Sequence, residues 1–307
     1  MKKYELTAQK RVKRDDGFRH TLYRIRALRD FEDVLEGQPG GWVESEKNLS
    51  QEGNCWIYDN AAVYGRAVVS GDAKIRNFAR ISGNAEICDE ASVRHYAKVD
   101  GEAIVRGGAS IEDFACVKDG AVVDDLAKIS QNACVMNHAQ VSGEAEVYGN
   151  ARITDDAKVG EGAKVYGNAL IGKMSLLFGE SEVYDNARVI GDIFGVSDNA
   201  RVYGNALVNG ETGYASDTSF ICDNALYASC GSLTENASVS ENAHVYDFAS
   251  LNDNASVEGN ATLRDNAEIC GDAIACGNAI VKENGRVEGD GLVSDDDVVD
   301  GEKVITE

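Results

Sequence analysis

Apolar and polar positions along this chain follow a phrase six residues long. Ala145-Glu146-Val147-Tyr148-Gly149-Asn150 returns as Ala163-Lys164-Val165-Tyr166-Gly167-Asn168 and as Ser181-Glu182-Val183-Tyr184-Asp185-Asn186. In general form it reads small, any, branched apolar, any, Gly or Asp, Asn or Asp. From Ala61 it runs without a slip to Asp192, gains one residue near Ile193–Asn199 and another near Thr218–Asn224, and then holds to the end. About forty copies make this a repeat protein. Small and branched residues alternate with polar ones, a period of two that predicts a strand with one buried face. The Gly/Asp and Asn/Asp pair tolerates positive φ and turns the chain. Each hexad is therefore expected to be a four-residue strand and a corner.

One such strand cannot bury its apolar side alone, whereas stacked coils can. Three hexads make an eighteen-residue triangular coil, and about thirteen or fourteen coils at ~4.8 Å would stack roughly 65 Å high. The branched position fills the inside and the small one fits the corners, so a binding site is expected on the outer surface. The single proline, Pro39, precedes the repeats, as expected where nearly every strand N–H is needed for a ladder.

The hexads resemble the repeat of left-handed parallel β-helices, the fold of many bacterial acyl- and acetyltransferases, and the left-handed sense is implied only by that resemblance. The segment Gly40-Gly41-Trp42-Val43, Asn48-Leu49-Ser50 and Gly53-Asn54-Cys55-Trp56-Ile57-Tyr58 resembles the opening of the YdcK-like proteins, bacterial hexapeptide-repeat proteins described as transferases. The expected fold is all-β: a single-stranded left-handed parallel β-helix, 55–307, behind an N-terminal hairpin cap, 1–54. In the cap, Tyr4–Lys13 and Phe18–Leu28 read as strands around Asp15-Asp16-Gly17. Asp30–Leu35 reads as one helical turn and Pro39-Gly40-Gly41 as a turn. Trp42 and Trp56 frame the entry to the stack, whose open edge needs covering.

Charge and cysteine usage narrow the function classes. The chain carries 30 Lys and Arg against 52 Asp and Glu, a net −22. Residues 1–30 hold ten basic and four acidic side chains, +6, which leaves −28 for the rest. An acidic body argues against nucleic acid and anionic membrane as partners. It also weighs against a polyanion such as coenzyme A unless a local basic patch exists. With no N-terminal apolar stretch, no membrane-length run and no CxxC among the eight cysteines, the expected setting is a reducing cytoplasm with free thiols. Cys116 and Cys134 stand one coil apart in one outward column. The Asp295-Asp296-Asp297 and Asp300 carboxylates read as a charged edge, and no metal site is expected.

Stepping by eighteen gives the other outward columns. Lys128, Glu146, Lys164, Glu182 and Arg201 alternate in sign and attract across neighbouring coils. Tyr148, Tyr166, Tyr184 and Tyr203 form a column that serves either as a self-stabilising face or as an aromatic platform for a glycan or protein partner. Both extra residues are expected to be β-bulges. Leu176, Phe178, Phe194 and Val196 are expected to face outward near the first, as a subunit interface.

The resemblance implies a histidine base between subunits of a trimer. The chain has four histidines. His20 is in the hairpin, His244 on a strand, and His95 and His138 lie in different corners. His138 occupies the usual Asn position of its corner and would be the base only in an acyltransferase. The reading from sequence is a non-catalytic structural or interaction scaffold without a cofactor. The alternative is an acetyl- or acyl-CoA-dependent acyltransferase with an intersubunit site, and a filament-forming protein is a third. A homo-oligomer is compatible with each.

Overall fold

A computed structural model of the chain describes residues 2–15 and 17–307. The protein is a parallel β-solenoid in two compact units that divide between Gly149 and Asn150, and among the described residues it has no α-helix.

In the first unit the N-terminal segment forms the expected hairpin: β1 (Tyr4–Asp15) pairs antiparallel with β2 (Phe18–Ala27). Asp16, in its turn, lies outside the described residues. Two expectations for the segment that follows are corrected. Asp30–Leu35 is not a helical turn but a tight reversal closed by Phe31 and Val34, each donating its N–H to the other's carbonyl, at 3.0 and 2.9 Å. Pro39-Gly40-Gly41 is not a turn but opens β3 (Pro39–Val43), which pairs antiparallel with β2 and parallel with Ala62–Val63. Bare glycine backbone is needed here, because a Cβ at Gly40 would lie 2.5 Å from the Trp56 ring. Trp56 is fully buried, edge-on to Tyr4 and Phe31. The Lys3 ammonium is buried too, and donates to the carbonyls of Glu52, Gly53 and Cys55 at 3.0–3.3 Å.

From Trp56 the chain winds through three parallel sheets, each strand pairing with the one eighteen residues on. Ser92–Val93 lies on Ser110–Ile111, Lys98–Val99 on Cys116–Val117, and Ile104–Val105 on Val122–Val123. The strands are two residues long rather than four, because the residues on either side belong to the corners. The first residue of each corner adopts positive φ, as at Asp59 (51°), Asp125 (56°) and Gly149 (73°). The inside is filled as expected: Ala145 and Val147 are both wholly buried.

The second unit repeats this winding, with one interruption. The spacing between paired strands rises to nineteen at Leu177↔Val196, stays there through Leu207↔Leu226, and returns to eighteen at Tyr214↔Ser232. The first extra residue falls at the start of the span Ile193–Asn199 given by the sequence, ahead of Phe194. The second falls between Asn209 and Gly213, one coil after the first, and not at Thr218–Asn224. The expected outward patch is corrected as well. Phe194 takes the small position, Val196 takes the inward branched position beside Leu177, and both are wholly buried. The longer corner gives Phe194 room, with Tyr227 edge-on at 5.6 Å. Gly213 leaves space one coil on, since a Cβ there would stand 3.0 Å from the Phe194 ring. Leu176 and Phe178 remain half-buried.

Phe194→Ala should therefore cost about 3–5 kcal/mol, as large-to-small changes in packed cores do, while Leu176→Ala costs clearly less. Denaturant unfolding of the two variants decides the matter; equal losses would contradict the inward placement of Phe194.

Candidate functional site

Sheet geometry fixes what the hairpin meets. Inward residues alternate with outward ones, so the sheet beginning at β3 presents Ala62, Arg80, Lys98, Cys116 and Cys134 in register on its outer side. Two residues further along each coil stand Tyr64, Ser82, Asp100, Lys118 and Met136. The hairpin lies against this face. The Arg11 guanidinium sits 4.4 Å from the Trp42 ring centroid and donates to the Asn60 carbonyl at 3.2 Å. Lys13 stacks on Tyr64 at 4.7 Å, and His20 meets the same ring at 4.9 Å.

Three adjoining clefts of about 350, 210 and 190 Å³ run along this face; hairpin residues line the first and third, and coil residues alone line the second. Six basic side chains, Arg11, Lys13, Arg14, Arg80, Lys98 and Lys118, line the first two against one carboxylate, Asp100. Among the described residues Arg80 and Lys98 form no ion pair. The cations act on one another, since burial and the neighbouring Arg24 and Arg80 charges lower the pKa of Arg11. Such a cluster is an electrostatic site for an anion. It is the local basic patch on which the objection to a polyanionic ligand turned, and it is formed within one chain.

The third cleft is lined by His20, Tyr64, Ser82 and Asp100 among others. His20 Nδ1 stands 3.0 and 3.1 Å from the two Glu44 carboxylate oxygens. Glu44 is itself held by the backbone N–H of Gly65 at 2.8 Å. An ionised carboxylate only accepts, so Nδ1 carries the proton and Nε2 of the neutral ring is a base. Sequence reading set His20 aside as a hairpin residue. Its pairing with Glu44 depends on β2 and β3 lying side by side, which no local pattern shows.

The second cleft holds Cys116. Lys98 and Cys134 flank it on adjacent coils, and Lys118 follows two residues later. A hydrogen bond from the Cys134 thiol, reinforced by Lys118 and Lys98 and opposed by burial, lowers the Cys116 pKa from 9.0 to about 7. Burial instead pushes Cys55, Cys88, Cys222, Cys270 and Cys276 up. All eight cysteines are free of disulfides.

The residues singled out from sequence lie elsewhere. His138 is exposed at a corner and does not line the clefts. His95 faces Asp113 at 3.0 Å, and His244 meets Tyr246 at 3.3 Å. In the second unit Tyr166, Tyr184 and Tyr203 stack at 4.9 and 5.0 Å with planes 1° apart. Their faces are turned to one another, and the Tyr166 hydroxyl donates to Glu182 at 3.1 Å. Tyr148, in the first unit, is half-buried. A second ladder missed from sequence, Phe78, Tyr96 and Phe114, stacks at 5.1 and 5.2 Å in the first unit; stepping by eighteen from Phe78 finds it. Lys128 meets Glu146 at 3.4 Å as expected.

A model of the YdcK β-solenoid repeat family matches residues 200–212. The chain is also similar to a protein of Escherichia coli strain K12 named uncharacterized acetyltransferase YdcK, with 46% identity over 80 residues. That stretch covers 24% of this chain and 24% of the relative, so the match spans about a quarter of the relative's length.

Alkylation reads the cysteine environments directly. Because the Cys116 pKa is lowered, its thiolate is half-formed near pH 7 and is lost as the pH falls below that. The groups facing it are Lys98, Lys118, Asp100, Cys134 and, across the cleft, Tyr64 and Arg80. Iodoacetamide labelling mapped by mass spectrometry should show a half-maximal rate at Cys116 near pH 7, and at Cys276 above pH 9. Lys118→Met should move the Cys116 midpoint upward. A Cys116 midpoint at or above that of Cys276 would refute the assignment.

Proposed function

We propose that this protein is an acyltransferase that takes an anionic acyl donor of the acyl-coenzyme A type in the groove beneath its N-terminal hairpin. The observation that carries the reading is the juxtaposition, within one chain, of a basic groove and a carboxylate-oriented histidine. A scaffold gains nothing from gathering Arg11, Arg80 and Lys98 along one face, because like charges repel until an anion neutralises them. The name of the bacterial relative points the same way.

In this reading Arg11, Arg80, Lys98 and Lys118 hold the donor's phosphates, for which guanidinium and ammonium groups are suited. His20 accepts the proton of an acceptor amine through Nε2. Glu44 fixes the ring and stabilises the imidazolium that forms, a pairing that general-base catalysis requires. The amine nitrogen bonds to the acyl carbon, the thioester C–S bond breaks, and the donor leaves as its thiolate. His138 has no part in this, since it stands outside the groove.

Isothermal titration with acetyl-coenzyme A tests the binding half. Each lost charge-assisted contact should weaken binding by about tenfold, so Arg80→Glu with Lys98→Glu should abolish measurable association, and added salt should weaken the parent protein too. His20→Ala should keep binding while slowing acetyl transfer to an amine acceptor by about 10²–10⁴-fold. Glu44→Gln should slow it less. Absence of binding by the parent chain, or binding indifferent to the charge reversal, returns the protein to the scaffold reading.

A further inference from the structure

The groove contains a nucleophile that direct transfer from donor to amine leaves unused. Lys98, Cys116 and Cys134 are consecutive rungs of one outward column, and Cys116 pairs in register with both neighbours. Lys118 projects from the same face two residues on. Cys116 is partly exposed and borders the cleft of about 210 Å³ shared with Tyr64, Arg80 and Ser82. The adjoining cleft, with which it shares Tyr64, Ser82 and Asp100, holds His20. Two ammonium groups, a donated thiol hydrogen bond and an opening to the anion groove are the surroundings in which cysteine is reactive rather than structural.

The other cysteines show the contrast. Cys88 lies near Asp89 and Glu86, Cys270 near Glu268 and Glu288, and Cys276 near Glu258 and Asp295. Burial, reinforced by these carboxylates, disfavours a thiolate there, and it outweighs Arg106 beside Cys88 and Arg286 beside Cys270. The fold does not demand cysteine at 116 either, since the same column position is Ala62, Arg80 and Lys98 in the preceding coils.

We propose that Cys116 is a covalent acyl acceptor, taking the acyl group from an anionic thioester bound in the groove before it passes to the final acceptor. This rests on the acyltransferase reading above. The Cys116 thiolate attacks the thioester carbonyl carbon, a new C–S bond forms, and the donor's C–S bond breaks. The donor's thiolate departs and takes a proton from solvent. In the second step the acceptor amine attacks the acyl-cysteine, its proton is lost to solvent, and the Cys116 thiolate is restored. One thioester is exchanged for another and then for an amide, with no oxidant or reductant.

The test is a short pulse of acetyl-coenzyme A on the intact, phosphine-reduced chain without an amine acceptor, followed by acid quench and peptide mapping. Cys116 should acquire a hydroxylamine-labile acetyl group at least about tenfold faster than any other cysteine. Cys116→Ser should lose the adduct while retaining titrated binding, and Lys118→Met should slow its formation. A parallel pulse with the acetyl thioester of N-acetylcysteamine, which lacks phosphates, separates the two ideas. If acetyl-coenzyme A binds but Cys116 is labelled no faster than Cys276, the covalent step is overturned and the acyltransferase reading survives. If acetyl-coenzyme A does not bind yet the small thioester labels Cys116 selectively, the nucleophile stands and the coenzyme A reading falls. If neither donor labels Cys116 selectively and acetyl-coenzyme A does not bind, both fall.

Discussion

Every coil depends on what happens to one backbone N–H. The corner needs a residue with positive φ, and the N–H of that residue points out of the parallel ladder. The next residue is served: Asn60 N–H donates to the Asn77 carbonyl one coil on, at 3.0 Å. The N–H of Asn77 itself is met by the Asp59 carboxylate at 3.0 Å. The arrangement recurs at Asp89 with Gly107, Asp125 with Gly143, Asp155 with Lys173, Asp223 with Glu241 and Asp253 with Gly271, at 2.9–3.1 Å. Glycine adopts the conformation more cheaply and does so at corners such as Gly65, Gly83 and Gly101, but it offers no acceptor to the next coil. Aspartate does both jobs, and so recurs through the stack.

That constraint changes the meaning of the acidity. Much of the −22 charge comes from carboxylates committed to corners, and it says little about ligands. Charges farther apart than about 8 Å are screened at physiological salt, so one sheet face can be basic while the corners are acidic. The outer face of the sheet that begins at β3 is such a place. The hairpin that covers it is itself basic, and Arg11 stacks on Trp42 and Lys13 on Tyr64.

The same repeat that gives the corners also lines up side chains of one kind. In the second unit the asparagines at 150, 168, 186, 205, 224, 242, 260 and 278 pass amide hydrogen bonds from coil to coil at 3.0–3.4 Å. The ladder crosses the widened coils unbroken, because the extra residues sit at a different corner. Stacked tyrosines behave alike: ring faces satisfied by the coils above and below leave only edges to solvent. Self-complementary columns stabilise the stack and are poor evidence of a binding surface.

The hexad by itself determined the stacked parallel coils, the buried small and branched positions, the paired columns and the existence of an irregularity near Ile193–Asn199. All of these follow from period and residue size, which are local quantities. Where the widening ends needed the structure, because Gly213 and Tyr227 answer Phe194 from other coils and only packing reveals the compensation. The groove needed it still more. Arg11 and Arg80, and His20 and Glu44, come from segments that sequence reading treats separately, and nothing in their spacing foretells that the hairpin lies along that face. Periodic order is written in the order of residues, whereas a site built from a non-repeating segment against a repeating one exists only once the two have packed.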